Sequence, residues 1–332
     1  MHLSSREQAQ IFNELSIQFG RSPTILEKDV WVCWTLKQLF SMPNRLKMVF
    51  KGGTSLSKAF NVIQRFSEDI DITIDYRDFN NDFNPFDENI SKNQLKKFSD
   101  QLKFHVKNHT YEQVLPYLKY QLEQQFPDQP SDIEISENGE KIRLPYFSVL
   151  NDANNYITNS ILLEFGGRNS IEPNETHSIQ PDIAQALRSL LFPTATVNVL
   201  SAIRTFWEKA TLIHVACNQN QWRESSERKS RHWYDLSILS ENIIGQTALL
   251  EKGILIDVVK YKNVFFNTPH ADYASCLTGN IKLVPRDTIM LEGLKADFQE
   301  MLSSGMFYNK KPIFNDIINH LILLEERINH LF

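Results

Sequence analysis

The chain has 332 residues, of which 42% are hydrophobic and 23% charged, enough for two or three compact units with an ample core and too much for a small stapled scaffold. No apolar run is long enough to span a bilayer, and Met1-His2-Leu3-Ser4-Ser5-Arg6-Glu7 lacks the apolar core of a signal peptide, so the expectation is a cytoplasmic protein. A net charge of −5 excludes a globally basic nucleic-acid binder, and Cys33, Cys217 and Cys276, far apart and without a Cys-x-x-Cys, argue against a zinc ribbon, a redox motif or a disulfide framework.

In chain order, Ser4-x-x-Glu7 is a capping box for a helix whose apolar stripe is Phe12, Leu15 and Phe19, ended by Gly20. Ser22-Pro23 then gives an N-cap and a proline at the first position of a second helix, with Leu26, Val30, Cys33, Trp34 and Phe40 facing inward. Glu27-Lys28-Asp29, in its first turns, reads as surface capping charge. Leu46 to Phe50 is an apolar strand, and Gly52-Gly53 frees the backbone for a tight turn. Thr54 or Ser55 can cap the short helix that follows, with Leu56, Ala59, Phe60 and Ile63 at helical spacing.

From Asp69 the period changes to two. Asp69, Asp71, Thr73 and Asp75 fall to one side and Ile70, Ile72 and Ile74 to the other, which sends the isoleucines to a core and the acids outward. Carboxylates two apart on a strand can converge on divalent cations, and the N–H groups at the start of the Ser55 helix form a positive pole suited to phosphates. The plainer reading is a turn and the wet face of an edge strand.

Residues 77–93 read as a loop, and Lys92 to about Gln125 as a long polar helix with Phe98, Leu102, Val106, Leu115, Leu118 and Leu122 inward. A hairpin turning at Asn138-Gly139 follows, extending the central sheet, and then a strand from Tyr156 to Phe165 that carries Glu164 near its end. Residues 168–199 give a polar loop and a short strand around Thr196 to Val199. The helix from Ser201 to Cys217 is apolar over most of its surface, yet it contains Lys209, whose neighbours at helical spacing include Thr205, Leu212 and Ile213 and no acid. Arg223, Arg228, Lys229, Arg231 and His232, diluted by Glu224 and Glu227, form the clearest local basic cluster for RNA. Arg231 to Leu239 is a further helix in which Asp235 lies one turn from Arg231 and His232, an ion-paired surface helix when read alone. Residues 286–332 read as two amphipathic helices.

The glycine turn with serine, followed by an Asp-x-Asp strand, resembles the nucleotidyltransferase superfamily that includes DNA polymerase β. More narrowly, Gly52-Gly53-Thr54-Ser55-Leu56-Ser57-Lys58 with Arg65-Phe66-Ser67-Glu68-Asp69-Ile70-Asp71 resembles the AbiEii/AbiGii toxin family of bacterial nucleotidyltransferases. That family has a third motif centred on a lysine and a fourth on an aspartate, and Arg204-Thr205-Phe206-Trp207-Glu208-Lys209 and Arg231-His232-Trp233-Tyr234-Asp235-Leu236 occur in that order.

The resemblance implies an α+β fold: a polymerase-β-like core of mixed sheet and flanking helices over 1–199, and a mainly helical lobe over 200–332 that completes an active-site cleft. It implies Mg²⁺ (or Mn²⁺) and NTP, with a nucleoside monophosphate passing to an acceptor hydroxyl. In this family's setting that acceptor is the 3′ end of tRNA, and the modification blocks translation in toxin–antitoxin or phage defence. The expected protein is monomeric, with a co-encoded antitoxin that need not bind it. Asp69 and Asp71 would hold metal, and Gly53, Thr54 and Ser55 the β- and γ-phosphates, with Lys58 or Lys51 near. Ser67 would bond the triphosphate or orient Asp69. Lys209 would stabilise charge at the α-phosphoryl group, while Asp235 would orient Lys209 or deprotonate the acceptor. Glu164 is the candidate third carboxylate. Transfer to a small molecule of the antibiotic type or to a protein hydroxyl, and a catalytically inactive nucleotide-binding protein, are the alternatives.

Overall fold

The computed structural model describes residues 3–79, 82–130, 132–150, 158–219, 228–308 and 311–332. The chain divides into two compact units. The first comprises Met1–Ala59, Phe66–Asp82 and Lys97–Leu200, and the second Phe60–Arg65, Phe83–Lys96 and Ser201–Phe332. Among the described residues, no helix is long and apolar enough to cross a membrane.

The first unit opens with α1 (Ser5–Phe19) and α2 (Pro23–Ser41). Both start where the sequence signals a cap: Ser4 and Glu7 close a reciprocal capping box, and the Ser22 hydroxyl accepts from the Ile25 N–H. Strand β1 (Met48–Lys51) runs into α3 (Gly52–Lys58), and β2 (Ile70–Ile74) follows. After α4 (Lys92–His109) a π-turn over Thr110–Val114 leads to α5 (Leu115–Gln125). The expected long helix is therefore unbroken along the chain but underwound just before Pro116, whose missing N–H cannot serve the regular ladder.

The remaining strands are β3 (Glu134–Ile135), β4 (Lys141–Pro145), β5 (Ser160–Gly166), β6 (Asn174–Ile179) and β7 (Ala195–Leu200). They form one mixed seven-stranded sheet of order β3-β4-β5-β2-β1-β7-β6. The β3–β4 hairpin turns at Gly139, which has φ +71°. Strand β2 is fourth of seven, antiparallel to β1 and parallel to β5. The edge-strand reading of the Asp-x-Asp segment is thereby excluded. Ile70, Ile72 and Ile74 are at most 1% exposed, and burying each such side chain contributes about 1.5–3 kcal/mol.

Three local expectations need correction. Helix α3 begins at Gly52, earlier than a Thr54 or Ser55 cap allows, and it ends at Lys58, so Ile63 is buried from outside the helix. The alternation holds at Asp71 but not beyond: Thr73 (0%) and Asp75 (3%) are buried, because a central strand is covered on both faces. Residues 174–179, expected as loop, form β6; an edge strand with a mostly exposed face has no apolar alternation to announce it.

Glu27, Lys28 and Asp29 are not surface charge: they are 3%, 1% and 7% exposed. Glu27 accepts from the Val149 N–H (2.7 Å) and the Ser148 hydroxyl (2.5 Å). Lys28 pairs with Glu68 and donates to the Thr158 carbonyl (2.7 Å). Asp29 pairs with Lys58, whose ammonium lies 2.7 Å from Asp29 Oδ1 and 2.7 Å from Asp182 Oδ1, while Arg21 also pairs with Asp182. This network ties α2 and α3 to the segment after β6.

The second unit contains α6 (Ala202–Asn218), α7 (Ser230–Ser240), α8 (Ile243–Leu250), α9 (Lys252–Phe265), α10 (Thr288–Ser303) and α11 (Phe314–Asn329). Its central member is α7, which packs against α6, α8, α10 and α11. Trp233, Tyr234, Asp235, Leu236 and Leu239 are accordingly buried, so α7 is no surface helix. The last two helices are the amphipathic pair read from residues 286–332.

Replacing Lys58 by methionine leaves the buried Asp29 without its cation and Asp182 with Arg21 alone. The expected result is a loss of about 3–5 kcal/mol of stability, read as a lower urea midpoint at unchanged slope.

Candidate active site

Strand β1 ends at Lys51, and the chain turns at Gly52 with φ +78°. A Cβ at this position would collide with Asp71 Oδ2 and lie 2.9 Å from its Cγ. Only glycine lets the backbone pass so close to the carboxylate. The register explains the approach: Lys51 on β1 is the partner of Asp71 on β2, and Asp71 is the partner of Glu164 on β5, which pairs in turn with Lys141 on β4. Directly paired residues share a face, so Lys51, Asp71, Glu164 and Lys141 form one transverse row in which two adjacent carboxylates are flanked by two lysines. Asp69 precedes β2 and is half-buried.

Glu164 is thus the in-register neighbour of Asp71, as the third-carboxylate expectation requires of the backbone. Its side chain is drawn the other way, with Oε1 2.5 Å from Lys141 Nζ. Among the described residues, no group of three or more His, Cys, Asp or Glu could hold a metal ion. Asp69 and Asp71 still fit Mg²⁺, a hard cation that takes oxygen donors and is commonly held by one or two carboxylates together with substrate phosphates and water.

The hydroxyls of the glycine turn point inward. Thr54 (1%) and Ser55 (0%) are buried; Ser55 Oγ donates to the Gly52 carbonyl (2.8 Å) and Thr54 Oγ1 to Ser67 Oγ (2.9 Å). The second bond fastens α3 to the segment leading into Asp69. What α3 leaves for a phosphate is backbone N–H, Gly53 included, since its N-cap residue Lys51 contributes no side-chain cap. Lys58 is not available: its ammonium is buried and divided between Asp29 and Asp182. The expectation that it reaches the phosphates is corrected accordingly, and its pKa is raised, because those carboxylates outweigh the burial that opposes its charge.

In the second unit, Lys209 on α6 and Asp235 on α7 meet. Lys209 Nζ lies 2.8 Å from Asp235 Oδ2, and Asp235 is fully buried. The partner that α6 lacked at helical spacing comes from the next helix. Sequence reasoning missed the third member, Arg65, which grips the same carboxylate in bidentate fashion: Nε to Oδ1 at 2.7 Å and Nη2 to Oδ2 at 2.8 Å. No local signal could have found it, since the two residues are 170 positions apart.

Burial alone would raise the Asp235 pKa, yet Arg65 and Lys209 hold it well below the usual aspartate range. Such a carboxylate stays ionised and is a poor proton acceptor, which favours the orienting role over the base. Burial pushes the Lys209 pKa down, and Arg65 adds to this against the pull of Asp235. Burial and then Lys209 and Arg231 likewise keep His232 neutral. Of the expected RNA cluster, Arg223 with Glu224 and Glu227 lies outside the described residues, as does Tyr156 of the strand before Glu164.

A family model described as nucleotidyl transferase AbiEii toxin, Type IV TA system, matches residues 34–320. Among solved structures, the chain is similar to MenT4, a nucleotidyltransferase toxin from Mycobacterium tuberculosis H37Rv, at 16% identity and a TM-score of 0.43 over 99% of each chain. No curated protein matches it in sequence.

Gly52→Ala tests the close approach in the sheet. It should destabilise the protein by at least about 1–2 kcal/mol from the left-handed backbone alone, and displacing Asp71 should weaken Mn²⁺ binding in calorimetry more than Gly53→Ala does. Equal metal affinity in both variants would contradict the geometry.

Proposed function

The chain belongs to the AbiEii nucleotidyltransferase toxin family, and from that premise we propose that it transfers a nucleoside monophosphate from an NTP to an acceptor hydroxyl, the 3′ end of tRNA, and so blocks translation. The acceptor oxygen forms a bond to the α-phosphorus, the bond to the β-phosphate oxygen breaks, and pyrophosphate leaves with the electron pair. The hydroxyl proton passes to solvent or to a base.

The observation that carries this reading is the setting of Asp71, an ionisable side chain on an interior strand with a glycine backbone turned against its carboxylate. A solubilising acid needs no such approach, whereas a carboxylate that must hold a fixed direction does. Asp69 and Asp71 would hold Mg²⁺, which when bound neutralises phosphate charge and polarises the phosphoryl oxygens. Backbone N–H groups at Gly53 to Ser55 are assigned to the β- and γ-phosphates, and Ser67, fixed by Thr54, to the triphosphate or to Asp69. Glu164, bonded to Lys141, is assigned to orienting the row rather than to a third metal position.

Lys209 is assigned to charge developing on the α-phosphoryl group, where a preorganised cation in a dry setting acts strongly. Its burial and its bond to Asp235 fit that task, because they fix the ammonium before substrate arrives. Asp235 orients it. A type IV toxin implies an antitoxin partner, and in this reading the antitoxin acts without a required complex.

Purified protein, total RNA, Mg²⁺ and each α-labelled NTP in turn test the proposal. Label should enter tRNA-sized species with the wild type and fall by at least about 10²-fold in Asp71→Ala and Lys209→Ala, while their melting temperatures show that both fold. Label entering an aminoglycoside and no RNA would move the acceptor to a small molecule. No transfer to any acceptor by folded protein would overturn the reading.

A further inference from the structure

The buried group at Arg65, Asp235 and Lys209 contains two cations and one carboxylate. The side chains are 2%, 0% and 8% exposed, so solvent screens them little. The carboxylate is not shared evenly. Arg65 takes both of its oxygens through the rigid fork of the guanidinium, the strongest geometry available to a carboxylate. Lys209 has a place on one oxygen already engaged, and its other ammonium hydrogens have no acceptor among the described residues. Of the other titratable neighbours, Arg231 and His232 on α7 supply no anion, and Tyr234 and Tyr308 present phenols to Arg65. On α6 itself Glu208 faces Arg204, at 3.6 Å.

We propose that Arg65 is a positioning residue for the transferase reaction: by taking up the charge of Asp235, it leaves the Lys209 ammonium held in place but not neutralised, ready for an anionic phosphate. This rests on the assignment of Lys209 to the NTP. Asp235 is thereby an orienting strut rather than a counterion. Without Arg65, Lys209 and Asp235 would form a closed neutral pair with little pull on a phosphate. A lysine alone would face a steep desolvation penalty and lose its proton. Two cations on one carboxylate meet both requirements, since the ammonium stays ionised and one positive charge stays unspent. The lowered pKa of Lys209 agrees with this arrangement, because Arg65 competes for the charge that would otherwise hold its proton.

The test compares the wild type with Arg65→Met, Arg65→Lys, and Arg65→Met combined with Asp235→Asn. Two quantities are read: pyrophosphate affinity by calorimetry, and the pH midpoint at which acetic anhydride labels Lys209, followed by mass spectrometry. In Arg65→Met the labelling midpoint should rise by about one pH unit as Asp235 turns wholly to Lys209, and pyrophosphate affinity should fall by about tenfold. The double variant removes the charge of Asp235 as well, so the midpoint should fall again below that of Arg65→Met while affinity stays low, a reversal of the midpoint that a purely structural role for Arg65 does not give. Arg65→Lys, which keeps a cation but loses the fork, should fall between. Wild type that binds neither pyrophosphate nor NTP would count against the assignment of Lys209, and the labelling midpoints would still report on Arg65. A midpoint unmoved by Arg65→Met, or a double variant whose midpoint stays at that of the single one, overturns the inference.

Discussion

The approach of Asp71 to the backbone of Gly52 is the constraint on which the arrangement of the first unit turns. A side chain at 52 would drive the carboxylate away, and the positive φ there would oppose any residue but glycine. With glycine in place, β1 can enter α3 directly beneath the central strand. The isoleucines of β2 hold that strand from the core, Thr54 fastens α3 to Ser67, and Lys28 fastens Glu68 next to Asp69. Sheet, turn and helix thus fix the backbone that carries the two aspartates.

Two buried lysines with the same chemistry have opposite fates, and the difference lies in the surrounding charge. Lys58 belongs to a balanced set, Arg21 and Lys58 against Asp29 and Asp182. Nothing in that set calls for a further anion, so it acts as an internal brace. Lys209 belongs to an unbalanced set in which Arg65 has first claim on Asp235. A buried group with surplus positive charge is stable only if something offsets it, and a nucleotide phosphate is the natural counterpart for a family that moves nucleotides. Burial alone does not separate these two lysines; the count of partners does.

What was legible in the sequence is what short-range chemistry decides. Ser4 with Glu7, Ser22 with Pro23, and Asn138-Gly139 announce helix starts and a hairpin because caps and turns are set by a few adjacent residues. The alternation around Asp71 showed which side chains leave the core, and it failed at Thr73 and Asp75 because a central strand is covered on both faces. Strand β6 was silent because its polar residues face outward at the edge. The charge networks were illegible for another reason: Lys58 finds Asp182, and Arg65 finds Asp235, across long stretches of chain. The motifs located the candidate residues, but only the three-dimensional partners show Lys58 held between Asp29 and Asp182, and Asp235 held by Arg65 and Lys209.

The central claim is transfer of a nucleotide rather than of a terminal phosphate, and the most direct measurement labels the NTP in two places. Protein, Mg²⁺ and total RNA are incubated with NTP carrying label at the α-phosphate or at the γ-phosphate, and the acceptor and the released products are separated. The account predicts α-label joined to the acceptor and γ-label released as pyrophosphate, in equal amounts. Label from the γ-position on the acceptor, or α-label appearing only as free nucleoside diphosphate, would contradict it.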